Sequence, residues 1–147
     1  MISWQLKSFT ELTNDELYAI MRLRQEVFVV EQNCVFIDAD DLDQPSLHLM
    51  GFINAELAAY ARIIPAGMAY DEVSIGRIVT SQKYRKQNHG RTLMQKSLDE
   101  AARVWGASPV KIMAQEYLQR FYEDYGFVKQ SEHFLLDGIW HIYMVRA

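Results

Sequence analysis

Ile78-Val79-Thr80-Ser81-Gln82-Lys83-Tyr84-Arg85-Lys86-Gln87-Asn88-His89-Gly90-Arg91-Thr92-Leu93-Met94 runs from a β-branched stretch through a polar, basic loop into a helical pattern opened by a glycine. Met94, Leu98, Ala101, Ala102 and Trp105 continue that pattern, and Gly106 and Pro109 end it. A strand entering a helix this way leaves backbone N–H groups unpaired at the positive end of the helix dipole. The junction therefore suits a pyrophosphate, with Arg85, Lys86 and Arg91 adding charge. Taken alone, the loop is equally an ordinary solvated connection. It is not a Walker loop, since no G-x-x-x-x-G-K-S/T occurs, and it lacks the glycines of a dinucleotide fingerprint.

Upstream, Ile2 to Phe9 alternates like a strand, and Thr13-Asn14-Asp15-Glu16 has the form of a capping box. Leu17, Ile20, Met21, Leu23, Val27 and Phe28 mark the buried face of the helix that follows, which should fade near Val30 to Gln32. Leu47 to Ile53 and Leu57 to Ile64 predict two strands joined at Asn54-Ala55-Glu56, and Glu72 to Thr80 predicts a third. Downstream, Val110 to Ala114 reads as a strand and Leu118 to Tyr125 as a short helix closed by Gly126. Phe127 to Leu136 and Ile139 to Val145 flank Asp137-Gly138, a two-residue hairpin signal. The pattern β-α-β-β-β-α-β-α-β-β predicts an α/β (α+β) protein. Its sheet should be single, mixed and largely antiparallel, flanked by helices and ending in a β-hairpin, all within one domain over residues 1–147.

Half of the 147 residues are hydrophobic and 12% are aromatic, so a packed core is expected without metal or disulfide. Cys34 is the sole cysteine, read as a small core or loop residue, with a reactive thiol as the alternative. The net charge of −4 argues against a nucleic-acid partner. With no 18-residue apolar run and no leader pattern, neither a membrane partner nor export is expected, and the cytoplasm is the expected compartment. Asp38, Asp40, Asp41 and Asp43 lack the order of a calcium loop and read as a solvated loop; steering of a cationic amine is the second reading.

A second segment narrows the choice: Gln115-Glu116-Tyr117-Leu118-Gln119-Arg120-Phe121-Tyr122-Glu123-Asp124-Tyr125-Gly126-Phe127. With the first, it resembles the GNAT superfamily of acyl-CoA N-acyltransferases. Their motif R-x-x-G-x-G, followed two residues later by Leu-Leu, is matched by Arg85-x-x-Asn88-x-Gly90 and then Leu93-Met94. Their motif N-x-x-A-x-x-F-Y-x-x-x-G-F is matched by Gln115-x-x-Leu118-x-x-Phe121-Tyr122-x-x-x-Gly126-Phe127. Leu23 to Gln32, Ile75 to Val79 and Asp137-Gly138-Ile139 before His141 extend the likeness to the ElaA-like branch, over almost the whole chain. Asn88, Gln115 and Leu118 depart from the two motifs, and Trp140 stands where the branch has proline.

The resemblance implies acetyl-CoA or coenzyme A as cosubstrate, no metal, and an amine-bearing acceptor, either a small molecule or a protein amine. Arg85, Lys86, Gln87, Asn88, His89, Gly90, Arg91 and Thr92 would hold the pyrophosphate. The strand edge at Ile78, Val79 and Thr80 would pair with the pantetheine, and Gln115 would touch it from the neighbouring strand. Tyr122 would protonate the departing thiolate; otherwise it is a core aromatic. An amine with a pKa of about 10.4 must lose a proton before attack. Ser74 stands where some members carry a glutamate, so Glu72, His48 and His141 are the candidate bases, each histidine also readable as structural, and a water relay is the alternative. A catalytically silent acyl-CoA-binding sensor or interaction module is the rival reading. An exposed strand edge would allow a homodimer.

Overall fold

The computed structural model describes residues 1–147. The Thr13 hydroxyl accepts the Glu16 N–H at 3.0 Å while the Glu16 carboxylate accepts the Thr13 N–H at 2.9 Å, so the capping box opens helix α1 (Asn14–Arg24). The helix then widens into a π-helix over Gln25–Glu31, a form that recurs at functional sites. Strands β1 (Ser3–Ser8), β2 (Leu47–Ile53), β3 (Glu56–Ile64) and β4 (Ser74–Thr80) form an antiparallel sheet in that order. Asn54 and Ala55 turn the chain between β2 and β3 at φ 51° and 63°, the double-positive signature of a tight hairpin.

Period-two alternation gives this sheet two buried faces. Ala59, Ala61 and Ile63 meet Leu93, Met94, Leu98 and Ala101 of helix α2 (His89–Trp105). Met50, Tyr60 and Val79 face Ile20 and Leu23 of α1 and Val27 of the π-helix. Gly51 is fixed by close approach: a Cβ there would lie 2.7 Å from Ile2 Cδ1 and 2.8 Å from Trp4 Cζ3.

The second sheet centres on β8 (Ile139–Arg146), paired on one side with β5 (Val110–Gln115) and on the other with β6 (Val128–Lys129) and β7 (Phe134–Leu136). The expected strand from Phe127 to Leu136 is thus two short ones. Ser131 Oγ accepts the Tyr143 N–H at 3.0 Å and Gln130 N–H donates to the Tyr143 carbonyl at 2.8 Å, so a side chain takes over part of the ladder. The expected helix from Leu118 is a 3₁₀ turn (Glu116–Leu118) leading into α3 (Gln119–Glu123), ended by Gly126 at φ +90°. No helix is long and apolar enough to cross a membrane.

The mixed sheet is continuous only at one parallel pair, Val73 with Val110, where Lys111 N–H donates to the Val73 carbonyl at 2.9 Å. Beyond it β4 and β5 diverge. Strand β4 is also bulged: Gly76 faces Arg62 and Val79 faces Tyr60, so Arg77 and Ile78 together oppose Ala61. Arg77 takes φ +51° there.

Candidate active site

The wedge between β4 and β5 is a cleft of 780 Å³. Ile78, Val79 and Thr80 line one wall, and Gln115, Tyr122 and His141 line the other side. The π-helix closes over it. Gln32 and Gln115 exchange side-chain hydrogen bonds at 3.3 and 3.4 Å, and Glu31 accepts both terminal nitrogens of Arg85 at 2.5 and 2.7 Å. Hydrogen bonding from Arg85 holds the Glu31 carboxyl down at about 2. Arg85, expected to add charge beside the pyrophosphate, is engaged by Glu31 while still bordering the start of α2, its Nε also donating to the Thr80 carbonyl at 3.3 Å.

Thr80 and Arg85 also border a second hollow of 210 Å³ over the start of α2, so the two hollows are neighbours that share these residues. Lys86, Asn88, His89, Gly90 and Arg91 line it, whereas Gln87 and Thr92 line neither space. Asn88 sits at φ +63°, a left-handed turn that glycine makes freely and asparagine tolerates. Its side chain makes no cap, so the first N–H groups of α2 are left for another acceptor. A Cβ added at Gly90 would meet nothing within 4 Å, so the hollow stands directly over that backbone. An uncapped helix start under an open hollow fits a pyrophosphate, and the neighbouring cleft is large enough for an extended arm.

Tyr122 is 7% exposed, with its hydroxyl bonded to no group of the protein. Burial, with Tyr117 nearby, pushes its phenol up to about 12, so it keeps its proton at neutral pH. His141 is 8% exposed, and its Nδ1 lies 2.8 Å from the Ile139 carbonyl. A carbonyl only accepts, so in the neutral ring Nδ1 carries the proton and Nε2 the lone pair, the tautomer a base requires. Phe134 stacks on the ring at 6.0 Å and fixes its plane.

The other candidate bases lie elsewhere. His48 is fully buried on the α1 face of β2, with Nε2 donating to the Asp43 carbonyl at 2.9 Å and Nδ1 accepting the Tyr60 hydroxyl at 2.6 Å. Burial lowers its pKa, and no lone pair remains, so His48 is structural. Glu72 precedes β4, which starts at Ser74, and lines no part of the cleft.

The solvated acidic loop also needs correction. Asp38 and Asp43 are buried and Asp40 is partly covered, each bound to arginine: Arg24 Nε to Asp38 at 2.6 Å, Arg24 Nη1 to Asp43 at 2.6 Å, and Arg62 to both Asp40 oxygens at 2.7 and 2.8 Å. Burial alone would raise Asp40, but Arg62 and then Arg77 outweigh it and hold the carboxyl at about 2. Three aspartates balance three arginines, which leaves Asp41 as the loop's unpaired acid. Spacing could not reveal this, because Arg24, Arg62 and Arg77 come from three separate elements. Cys34 is buried and donates its S–H to the Asp137 carbonyl at 3.3 Å, tying the loop to the hairpin tip.

A split sheet, a bulged β4 and an uncapped helix beside the opening define an acyl-CoA N-acyltransferase scaffold. Residues 39–147 match the acetyltransferase (GNAT) domain family, and the chain belongs to the GNAT superfamily. Within it, the chain falls in the ElaA-like branch: protein ElaA of Escherichia coli is 43% identical over 148 residues, spanning 99% of this chain and 97% of ElaA. The crystal structure of an acyl-CoA N-acyltransferase from Pseudomonas aeruginosa matches with a TM-score of 0.96 and 42% identity over the full length of both chains. That of Escherichia coli ElaA gives 0.93 and 41%, also over both full lengths.

Proposed function

We propose that this protein transfers an acetyl group from acetyl-CoA to an amine by direct attack within a ternary complex. The observation that carries this reading is the pairing of two neighbouring hollows. One lies over the open start of α2, and the other is the cleft lined by Tyr122 and His141, with Thr80 and Arg85 bordering both. The α2 N–H groups at Asn88 to Arg91, with Lys86, would hold the pyrophosphate, and the open edge of β4 at Ile78 to Thr80 would hold the pantetheine amides. An edge N–H of β4 would also bond the carbonyl oxygen that gains negative charge during attack. His141 Nε2 would take a proton from the incoming ammonium, and the Tyr122 hydroxyl would return one to the departing thiolate.

The test is a screen of amines with acetyl-CoA, in which free thiol is read directly. Small amines, polyamines, lysine peptides and free peptide N-termini form the panel. Thiol release above buffer hydrolysis with at least one class is expected. Coenzyme A binding by calorimetry with no turnover across the panel would replace the enzyme by a silent acyl-CoA-binding module. No binding at all would remove the cofactor assignment.

A further inference from the structure

Arg77 stands at the β4 bulge with φ +51°, a backbone state that a bulky L-residue keeps only when its surroundings impose it. Its own side chain provides the constraint. Nε donates to Asp38 Oδ1 at 2.7 Å, and Nη2 donates to the Asp38 carbonyl at 3.0 Å and to Asp40 Oδ2 at 3.3 Å. Those acceptors are themselves fixed from below. Arg24 of α1 holds Asp38, Arg62 of β3 holds Asp40, and both arginines hold Asp43 at 2.6 and 2.9 Å. Arg24 and Arg62 are almost wholly buried, whereas the Arg77 side chain is 23% exposed and lines the cleft, as do Phe36 and Asp40 of the loop. The Arg77 guanidinium also lies 6.0 Å above the Phe36 ring. Buried ion networks add little stability compared with apolar packing; what they can add is a single defined geometry.

We propose that Arg77 is a positioning residue for acyl transfer. Braced by Asp38 and Asp40, it fixes the β4 bulge, and with it the N–H groups that the open edge of β4 presents to the acyl carbonyl. Through Phe36, which lines the same cleft, it ties the loop to that bulge. One extra residue in a strand changes which N–H groups face its free edge, because strand geometry repeats every two residues. Without the brace β4 can relax toward a regular register, and a donor displaced by about an ångström loses most of its effect on the barrier. The pyrophosphate hollow at Lys86 to Arg91 lies beyond the bulge and keeps its shape. This inference rests on the acyltransfer reading above.

Arg77→Met keeps the stem of the side chain and removes every donor, while Arg77→Lys restores a charge with one donor group. Arg77→Gly takes the positive φ without strain, so it reports on the brace even if the methionine variant folds poorly. The expected result is at least a tenfold fall in kcat for the Met and Gly variants. Their dissociation constants for coenzyme A should stay within twofold of the parent, and Lys should recover part of the rate. Changed amide chemical shifts confined to residues 75–80 should accompany the loss. Turnover within twofold of the parent in both variants overturns the positioning role alone. So does a rate loss explained entirely by lower thermal stability with unchanged amide shifts. A parent protein that releases no thiol with any amine overturns the acyltransfer reading, and this role with it.

Discussion

At the scale of single residues, the proposed reaction divides the proton traffic between Tyr122 and His141, and each makes a separable prediction. Tyr122→Phe keeps the buried ring and removes the donor, so thiol release should fall by roughly 10²–10⁴-fold with coenzyme A affinity unchanged. An equal loss in kcat and kcat/KM marks a contact made only in the transition state; a structural role would instead lower stability and leave kcat near normal. Because burial holds this phenol at about 12, it adds no falling limb to the rate profile until the pH nears that value. His141→Gln should also slow turnover, but its deficit should shrink as the pH approaches the acceptor's own pKa, about 10.4 for a lysine amine and about 8 for a peptide N-terminus, where no base is needed. A deficit independent of pH would assign the proton to water. Tyr122 as a candidate was legible from its motif, whereas preferring His141 to His48 as the proposed base needed the hydrogen-bond partners of both rings. A histidine in a strand sequence carries no mark of which nitrogen is free.

At the scale of elements, two glycines have opposite meanings. Gly51 lies in β2 under Ile2 and Trp4, so Gly51→Ala overpacks that contact and should cost about 1–3 kcal/mol in denaturant unfolding. A variant as stable as the parent would mean that β1 shifts freely. Gly90 has open space above it, so Gly90→Val should leave the melting temperature of the ligand-free protein nearly unchanged. The same variant should lose the added stability that coenzyme A gives the parent, about 2.7 kcal/mol at one hundred times its dissociation constant. Normal stabilisation of Gly90→Val by coenzyme A would reduce the loop to a connector. The α2 start and the capping box of α1 were legible because caps and helix openings are local. The π-helix, the β4 bulge and the break between β6 and β7 were not, since each depends on what the neighbouring strand or loop supplies.

At the scale of the whole molecule, the loop from Asp38 to Asp43 joins α1, β3 and β4 through three arginines, so acid should loosen these elements together. Asp40 and Glu31 have folded-state values of about 2, below their ordinary 3.8 and 4.5. Carboxyls depressed in this way stabilise fully above the ordinary values, and that contribution is lost as the pH falls from about 4.5 toward 2. The urea midpoint should therefore hold near neutrality and drop across that window. An Asp40→Asn variant should start less stable and converge with the parent at the acid end; parallel curves would show that Asp40 carries no such linkage. Hydrophobic periodicity and two short motifs determined the order of elements, the faces of α1 and α2, the family and the hollow over α2, because those signals lie within a few residues of each other along the chain. The aspartates read as solvent-facing until the fold brought Arg24, Arg62 and Arg77 to them from three elements. The opening of the sheet after Val73 and Val110, the turning of Arg85 toward Glu31 and the burial of His48 were likewise decided in three dimensions. In each case the deciding partner is far away in sequence, and only packing fixes which long-range pair of charges or strand edges meets.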